Sequence, residues 1–144
     1  MSNSQSPLVS GPWAGAVTGT TAIIKAVVRG SSTGAQILLS RDPSFQNAVG
    51  IEGLQESAPG YPHKIVSFQL AGLAPGTKYY YVLEIDHTQF PNQTGQLTTF
   101  PAEGAAADFK FVFASCAATG TNSRVFQAIL DESPLFFCHL GDFH

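Results

Sequence analysis

Over roughly the first hundred residues, apolar side chains recur at every second position, a spacing that confines this stretch to half-buried strands. In Thr21-Ala-Ile-Ile-Lys-Ala-Val-Val-Arg29, Ala22, Ile24, Ala26 and Val28 share one face. Lys25 and Arg29 share the other face with Ile23 and Val27. A second row, Ala35, Ile37 and Leu39, runs into the turn signal Ser40-Arg-Asp-Pro-Ser44. A third, Val66, Phe68 and Leu70, ends at Ala71-Gly72. Tyr79, Tyr81, Leu83 and Ile85 form a fourth, alternating with Lys78, Tyr80, Val82 and Glu84. Gly95-Gln-Leu-Thr-Thr-Phe100 completes the set as a short last strand. Short strands with turn signals about every ten residues predict a β-sandwich.

One segment is more specific than the alternation. Leu73-Ala-Pro75-Gly-Thr77-Lys-Tyr79 resembles the Leu-x-Pro-x-Thr-x-Tyr corner that precedes the sixth strand of fibronectin type III domains. Its physical sense is a Tyr79 hydroxyl hydrogen-bonded to the backbone of the corner, with Leu73 packed beneath and Pro75-Gly76 setting the turn. Tyr79, Leu73 and Pro75 are therefore read as structural. Trp13, in Gly11-Pro-Trp-Ala-Gly15, belongs to the core or the sandwich edge, a carbohydrate-binding face being the alternative. His63 and His87 lie near loops with no other ligand at metal spacing and read as surface residues.

The pattern changes after Pro101-Ala-Glu-Gly-Ala-Ala-Ala-Asp108, a small, featureless connection. Of the 9 prolines only Pro134 follows Pro101, whereas Phe109, Phe111, Phe113, Phe126, Phe136, Phe137 and Phe143 all follow Ala107. A boundary is drawn there, with a sandwich over 1–104 and a second region over 105–144. Phe109-Lys-Phe-Val-Phe-Ala-Ser-Cys116 is a nearly continuous apolar run, as in a strand buried on both faces of a parallel sheet. Thr121 and Asn122 are helix N-cap candidates. Phe126, Ile129 and Leu130 fall at helical spacing up to Ser133-Pro134, and Leu135-Phe-Phe-Cys-His-Leu140 is a second apolar strand. The second region is one β-α-β unit.

Chemistry gathers at the carboxyl ends of strands in such units. Here those ends carry Ser115-Cys116 and Gly141-Asp142. A thiolate and a carboxylate side by side make a partial metal site, since both are anionic donors. Cys138 and His139 read instead as residues of the strand interior, and Ser115 lacks a base at any known spacing that would make it a nucleophile.

Phe-Val-Phe-Ala-Ser-Cys116, a helix, and Phe-Phe-Cys-His-Leu-Gly-Asp142 together resemble the opening of the PhoD-like alkaline phosphatases. These are a branch of the calcineurin-like metallophosphoesterases that carries an immunoglobulin- or fibronectin-like domain before its catalytic core. The resemblance implies that the second region begins a metallophosphatase α/β fold and that Cys116 and Asp142 are metal ligands. It implies iron and calcium as cofactors and phosphate mono- or diesters as substrates, hydrolysed by metal-activated water. The family's iron-binding Tyr falls one residue beyond His144. Read otherwise, Asp142-Phe143-His144 is similar to the Asp-x-His pair of other calcineurin-like enzymes, which leaves His144 as an alternative ligand.

The later Asn-His and Gly-His-x-His elements of that superfamily are absent from these 144 residues. The expectation is an N-terminal fragment without phosphatase activity, whose residues 109–144 need more sheet or a neighbouring chain to cover them. The competing expectation is a non-enzymatic fibronectin-like binding or spacer module, with an exposed aromatic patch formed by Trp13 and Tyr61. Charge narrows the partners. With 7 basic and 10 acidic side chains, a net charge of −3 and no Lys/Arg cluster, a nucleic-acid footprint is not expected. No apolar run suits a membrane span and no signal peptide is apparent, although the resemblance suggests an exported protein. The two cysteines do not fix a redox compartment.

Overall fold

Period-two alternation becomes strand wherever one face of a segment can be buried against a second sheet. The computed structural model describes residues 6–116, 118 and 123–142. The chain is mainly β, 48% strand and 6% helix. It divides into two units, Met1–Glu103 and Gly104–His144.

The first unit is a sandwich of two antiparallel four-stranded sheets. One has the order β1 (Leu8–Gly15), β2 (Ala22–Arg29), β6 (His63–Leu70), β5 (Leu54–Ser57). The other runs β4 (Val49–Glu52), β3 (Ala35–Ser40), β7 (Lys78–Ile85), β8 (Thr88–Thr98). The four alternating rows supply most of the shared core: Ile24, Val28, Ile37, Val66, Phe68, Leu83 and Ile85 are all fully buried. Full burial of a side chain such as Phe68 is worth about 1.5–3 kcal/mol relative to exposure.

Three features depart from the simple alternation. Val82, on the outward row of β7, is buried as well. The last strand is longer than Gly95–Phe100, because it begins at Thr88 directly after a two-residue hairpin. Asp86 and His87 both take positive φ there, 47° and 63°, the left-handed pair that such a tight turn requires. Asp86 Oδ1 fixes the turn by accepting from Thr33 N–H, Thr33 Oγ and Gly34 N–H at 2.7–3.0 Å. Those bonds hold its carboxyl below the usual carboxylate range. The third departure is at Gly53, the single residue between β4 and β5, where the chain passes from one sheet to the other. A Cβ there would lie 2.2 Å from Val66 Cγ1 and 2.6 Å from Phe68 Cε1, so only glycine fits against the core at this crossing.

The corner before β7 is pinned from two sides. Tyr79 Oη accepts a hydrogen bond from Ala74 N–H at 2.8 Å, and Leu73 is buried. Thr99 Oγ1, also buried, donates to the Ala74 carbonyl at 2.7 Å and accepts from Thr77 N–H at 2.9 Å.

The second unit is a β-α-β: β9 (Phe111–Ala114), α1 (Arg124–Asp131) and β10 (Phe136–His139), with β9 and β10 paired in parallel from Phe136↔Phe111 to His139↔Ala114. The helix is capped by Ser123, whose hydroxyl accepts from Val125 N–H; Thr121 and Asn122 lie outside the described residues. The expected two-sided burial is not found. Phe109, Phe111 and Phe113 are all more than half exposed, Phe136 stacks on Phe111 at 5.3 Å, and α1 has no buried residue. Cys138, expected in the interior, is exposed. Two strands and one short helix offer too little surface to enclose so many aromatic side chains.

Candidate metal centre

The parallel ladder of the second unit continues past the strands to the candidate ligand residues. Leu140 N–H donates to the Ala114 carbonyl at 2.8 Å, and Cys116 N–H donates to the Gly141 carbonyl at 3.3 Å. The backbones of Cys116 and Gly141 are thus joined, and Asp142 follows immediately. His139 Nδ1 accepts from Gly141 N–H at 3.1 Å, so the glycine is held through both of its polar backbone groups. This bond occupies Nδ1 and places the imidazole proton of a neutral ring on Nε2.

Both strand ends turn through left-handed backbone. Cys116 has φ 62°, Gly141 φ 103° and Asp142 φ 63°. Glycine takes this conformation freely, whereas cysteine and aspartate adopt it at a cost of about 1–2 kcal/mol each. Strained backbone at two neighbouring tips is the kind of feature that gathers at functional sites. Cys116 and Asp142 are both exposed, and the Cys116 thiol lies 3.4 Å from Ser115 Oγ. Ser115 has no histidine or carboxylate among its hydrogen-bond partners in the described residues.

A thiol and a carboxyl group at adjoining, open strand ends suit a borderline metal ion. Among the described residues no three His, Cys, Asp or Glu side chains cluster as a metal-binding group. His144 lies outside the described residues. Among those residues no helix is long and apolar enough to cross a membrane.

The other singled-out residues are dispersed over the sandwich. Trp13, on β1, is 45% exposed, and Tyr61, just before β6, is 47% exposed. They do not make one patch. Trp13 is level with Lys25 of β2, whereas Tyr61 lies beyond the level of Arg29, at least about 13 Å further along that strand. His87 is exposed in its hairpin. His63 opens β6 half-buried, with its ring edge on Tyr61 at 5.3 Å; its Nδ1 is buried without a hydrogen-bond partner among the described residues. The sequence reading missed a cluster at the turn after β3, where Arg41 Nη2 donates to Tyr79 Oη at 3.3 Å and the guanidinium lies 5.5 Å from the ring centroid. Arg41 and Tyr79 are 38 positions apart, so no local motif announces the pair.

The fold therefore defines a class of chain, a β-sandwich followed by a parallel β-α-β unit. No protein-family model matches the chain, and no curated protein is similar to it. Among solved structures it is similar to a structure of PhoD, with a TM-score of 0.72 and 23% identity over 90% of this chain and 26% of that one. At that identity the likeness establishes the fold alone, and the chain spans about a quarter of the length of the PhoD structure. It is also similar, more loosely, to the sensor domain of the anti-sigma factor RsgI4 of Pseudobacteroides cellulosolvens, with a TM-score of 0.48 and 18% identity over 68% of this chain and 92% of that one.

Proposed function

We propose that this chain forms part of a PhoD-like, metal-dependent phosphoesterase acting on phosphate mono- or diesters, with Cys116 and Asp142 as two of its metal ligands. The observation that carries this reading is the bond from Cys116 N–H to the Gly141 carbonyl, which joins the ends of two parallel strands at the two candidate donors. The PhoD-like fold supports it. Gly141 and its tie to His139 orient the turn that presents Asp142, while the left-handed Cys116 turns out of the strand end. The bound metal supplies Lewis acidity toward phosphoryl oxygens. Two donors are fewer than such a centre needs, so the remaining ligands come from other strand ends. In this reading the exposed Phe109–Phe113 face is covered by further sheet.

Cobalt(II) titration of the purified chain tests the ligand assignment. A thiolate-to-cobalt charge-transfer band is expected, lost in Cys116→Ala and weakened in Asp142→Ala. A band that survives Cys116→Ala, or no band in the parent chain, would remove the assignment. The same reading expects the 144 residues alone to leave p-nitrophenyl phosphate intact with any added metal. Saturable, metal-dependent turnover lost on Cys116→Ala and Asp142→Ala would overturn that expectation.

A further inference from the structure

We propose that the cleft beside the turn after β3 is a binding site for a small ligand that carries an oxyanion, carboxylate or phosphate, on an apolar body. The cleft has a volume of about 400 Å³, within the range of small-molecule sites, and Leu39, Val49 and the Tyr79 ring give it apolar walls. It lies on the sandwich and is independent of the phosphoesterase reading.

Two side chains in it keep N–H or O–H groups that meet no protein acceptor among the described residues. The first is the Arg41 guanidinium, which has five N–H groups in a planar fork suited to oxyanions. One of its nitrogens is engaged with Tyr79 Oη, and Arg41 makes no ion pair among the described residues. The contact with the Tyr79 ring and hydroxyl holds the fork in place before any ligand arrives. The second donor is Tyr79 itself. This side chain is only 6% exposed, and its oxygen accepts from both Ala74 N–H and Arg41 Nη2. Its own proton meets no acceptor among the described residues, although Tyr79 lines the cleft. A donor at a nearly buried side chain gains from any acceptor brought to it.

The cleft wall is built in advance. Buried Ser40 accepts from Asp42 N–H at 3.0 Å and donates to the Gln46 carbonyl at 3.3 Å, bridging the turn. Asp42 also lines the cleft and opposes an anion. Its Oδ1 is occupied by Ser44, through N–H and Oγ–H, both at 2.8 Å, and these bonds hold its carboxyl below the usual carboxylate range. The site therefore attracts an oxyanion through Arg41 and Tyr79 while Asp42 moderates its affinity.

The test is a titration of the 144-residue chain, followed by NMR at the Arg41 Nε–H, the Ala74 amide and the Val49 amide, with hydrocinnamate, phenyl phosphate and phenethylammonium as probes. Saturable shifts at these groups are expected with an oxyanion probe at about millimolar Kd, and the tighter of the two anions identifies the head group. Arg41→Gln should weaken that binding about tenfold or more, and Asp42→Asn should strengthen it. The proposal is overturned if neither anion saturates, if Arg41→Gln binds as well as the parent, or if phenethylammonium binds equally well.

Discussion

The two units of this chain use the same raw material, apolar side chains on short strands, with opposite outcomes. In the sandwich two four-stranded sheets enclose a common core, and Phe68 is fully removed from solvent. In the β-α-β unit Phe113 remains 62% exposed and nothing on the helix is buried. What separates them is the number of faces available to cover one another, since each sandwich sheet closes one face of the other. A two-stranded parallel sheet with one eight-residue helix has too few. Apolar content alone is thus no measure of a core, and stability should be concentrated in the first hundred residues.

The sharpest way to break this contrast is a pair of truncations. Phe68→Ala should cost about 3–5 kcal/mol through lost burial and a residual cavity, whereas Phe113→Ala should stay within about 0.5 kcal/mol. Urea unfolding followed by backbone circular dichroism, to which the strands of both units contribute, reads both. Equal costs would show that the second unit has a core of its own. A smaller effect is expected at the sheet crossing: Gly53→Ala should destabilise by about 1–3 kcal/mol, because the new Cβ meets Val66 and Phe68. Thermal unfolding unchanged by that substitution would mean the crossing is looser than its contacts indicate.

The smallest expected effect concerns pH. The Asp86 carboxyl titrates below its ordinary value of 3.8 in the folded chain. Its contribution to stability is therefore present above that value and is lost as pH falls through the lower folded one. Asp86→Asn keeps an oxygen for Thr33 and Gly34 but has no charge to lose. Its stability should decline less steeply below about pH 4 than that of the parent chain. Parallel acid profiles would count against the turn as a source of that dependence.

How much of this was legible in the sequence varied with position in the sheets. β2, β3, β6 and β7 could be read directly, because each has a buried row facing the opposite sheet. β4 and β5 could not: they are four-residue edge strands whose side chains are mostly exposed, leaving no alternation to detect. The first half of β8 was obscured by Pro91, which has no N–H to offer a neighbour. The register slips just there. Val82 pairs with Thr94 and Glu84 with Gln89, a shift in register between the two halves of the strand. At the candidate metal centre the strand ends could be located from the apolar runs. The left-handed turns at Cys116 and Asp142, and the grip of His139 on Gly141, depend on three-dimensional pairing that carries no periodic signal.

The crossing at Gly53 has one more consequence. Because β4 and β5 are edge strands of different sheets joined by one residue, they form a continuous strap down one open side of the sandwich. Gly53 N–H is itself fastened to the Ala35 carbonyl at 2.8 Å. Peeling β4 away from β3 therefore tugs on β5 where it lies against β6, so neither edge can fray independently. The strap makes the weakest strands of each sheet one cooperative element.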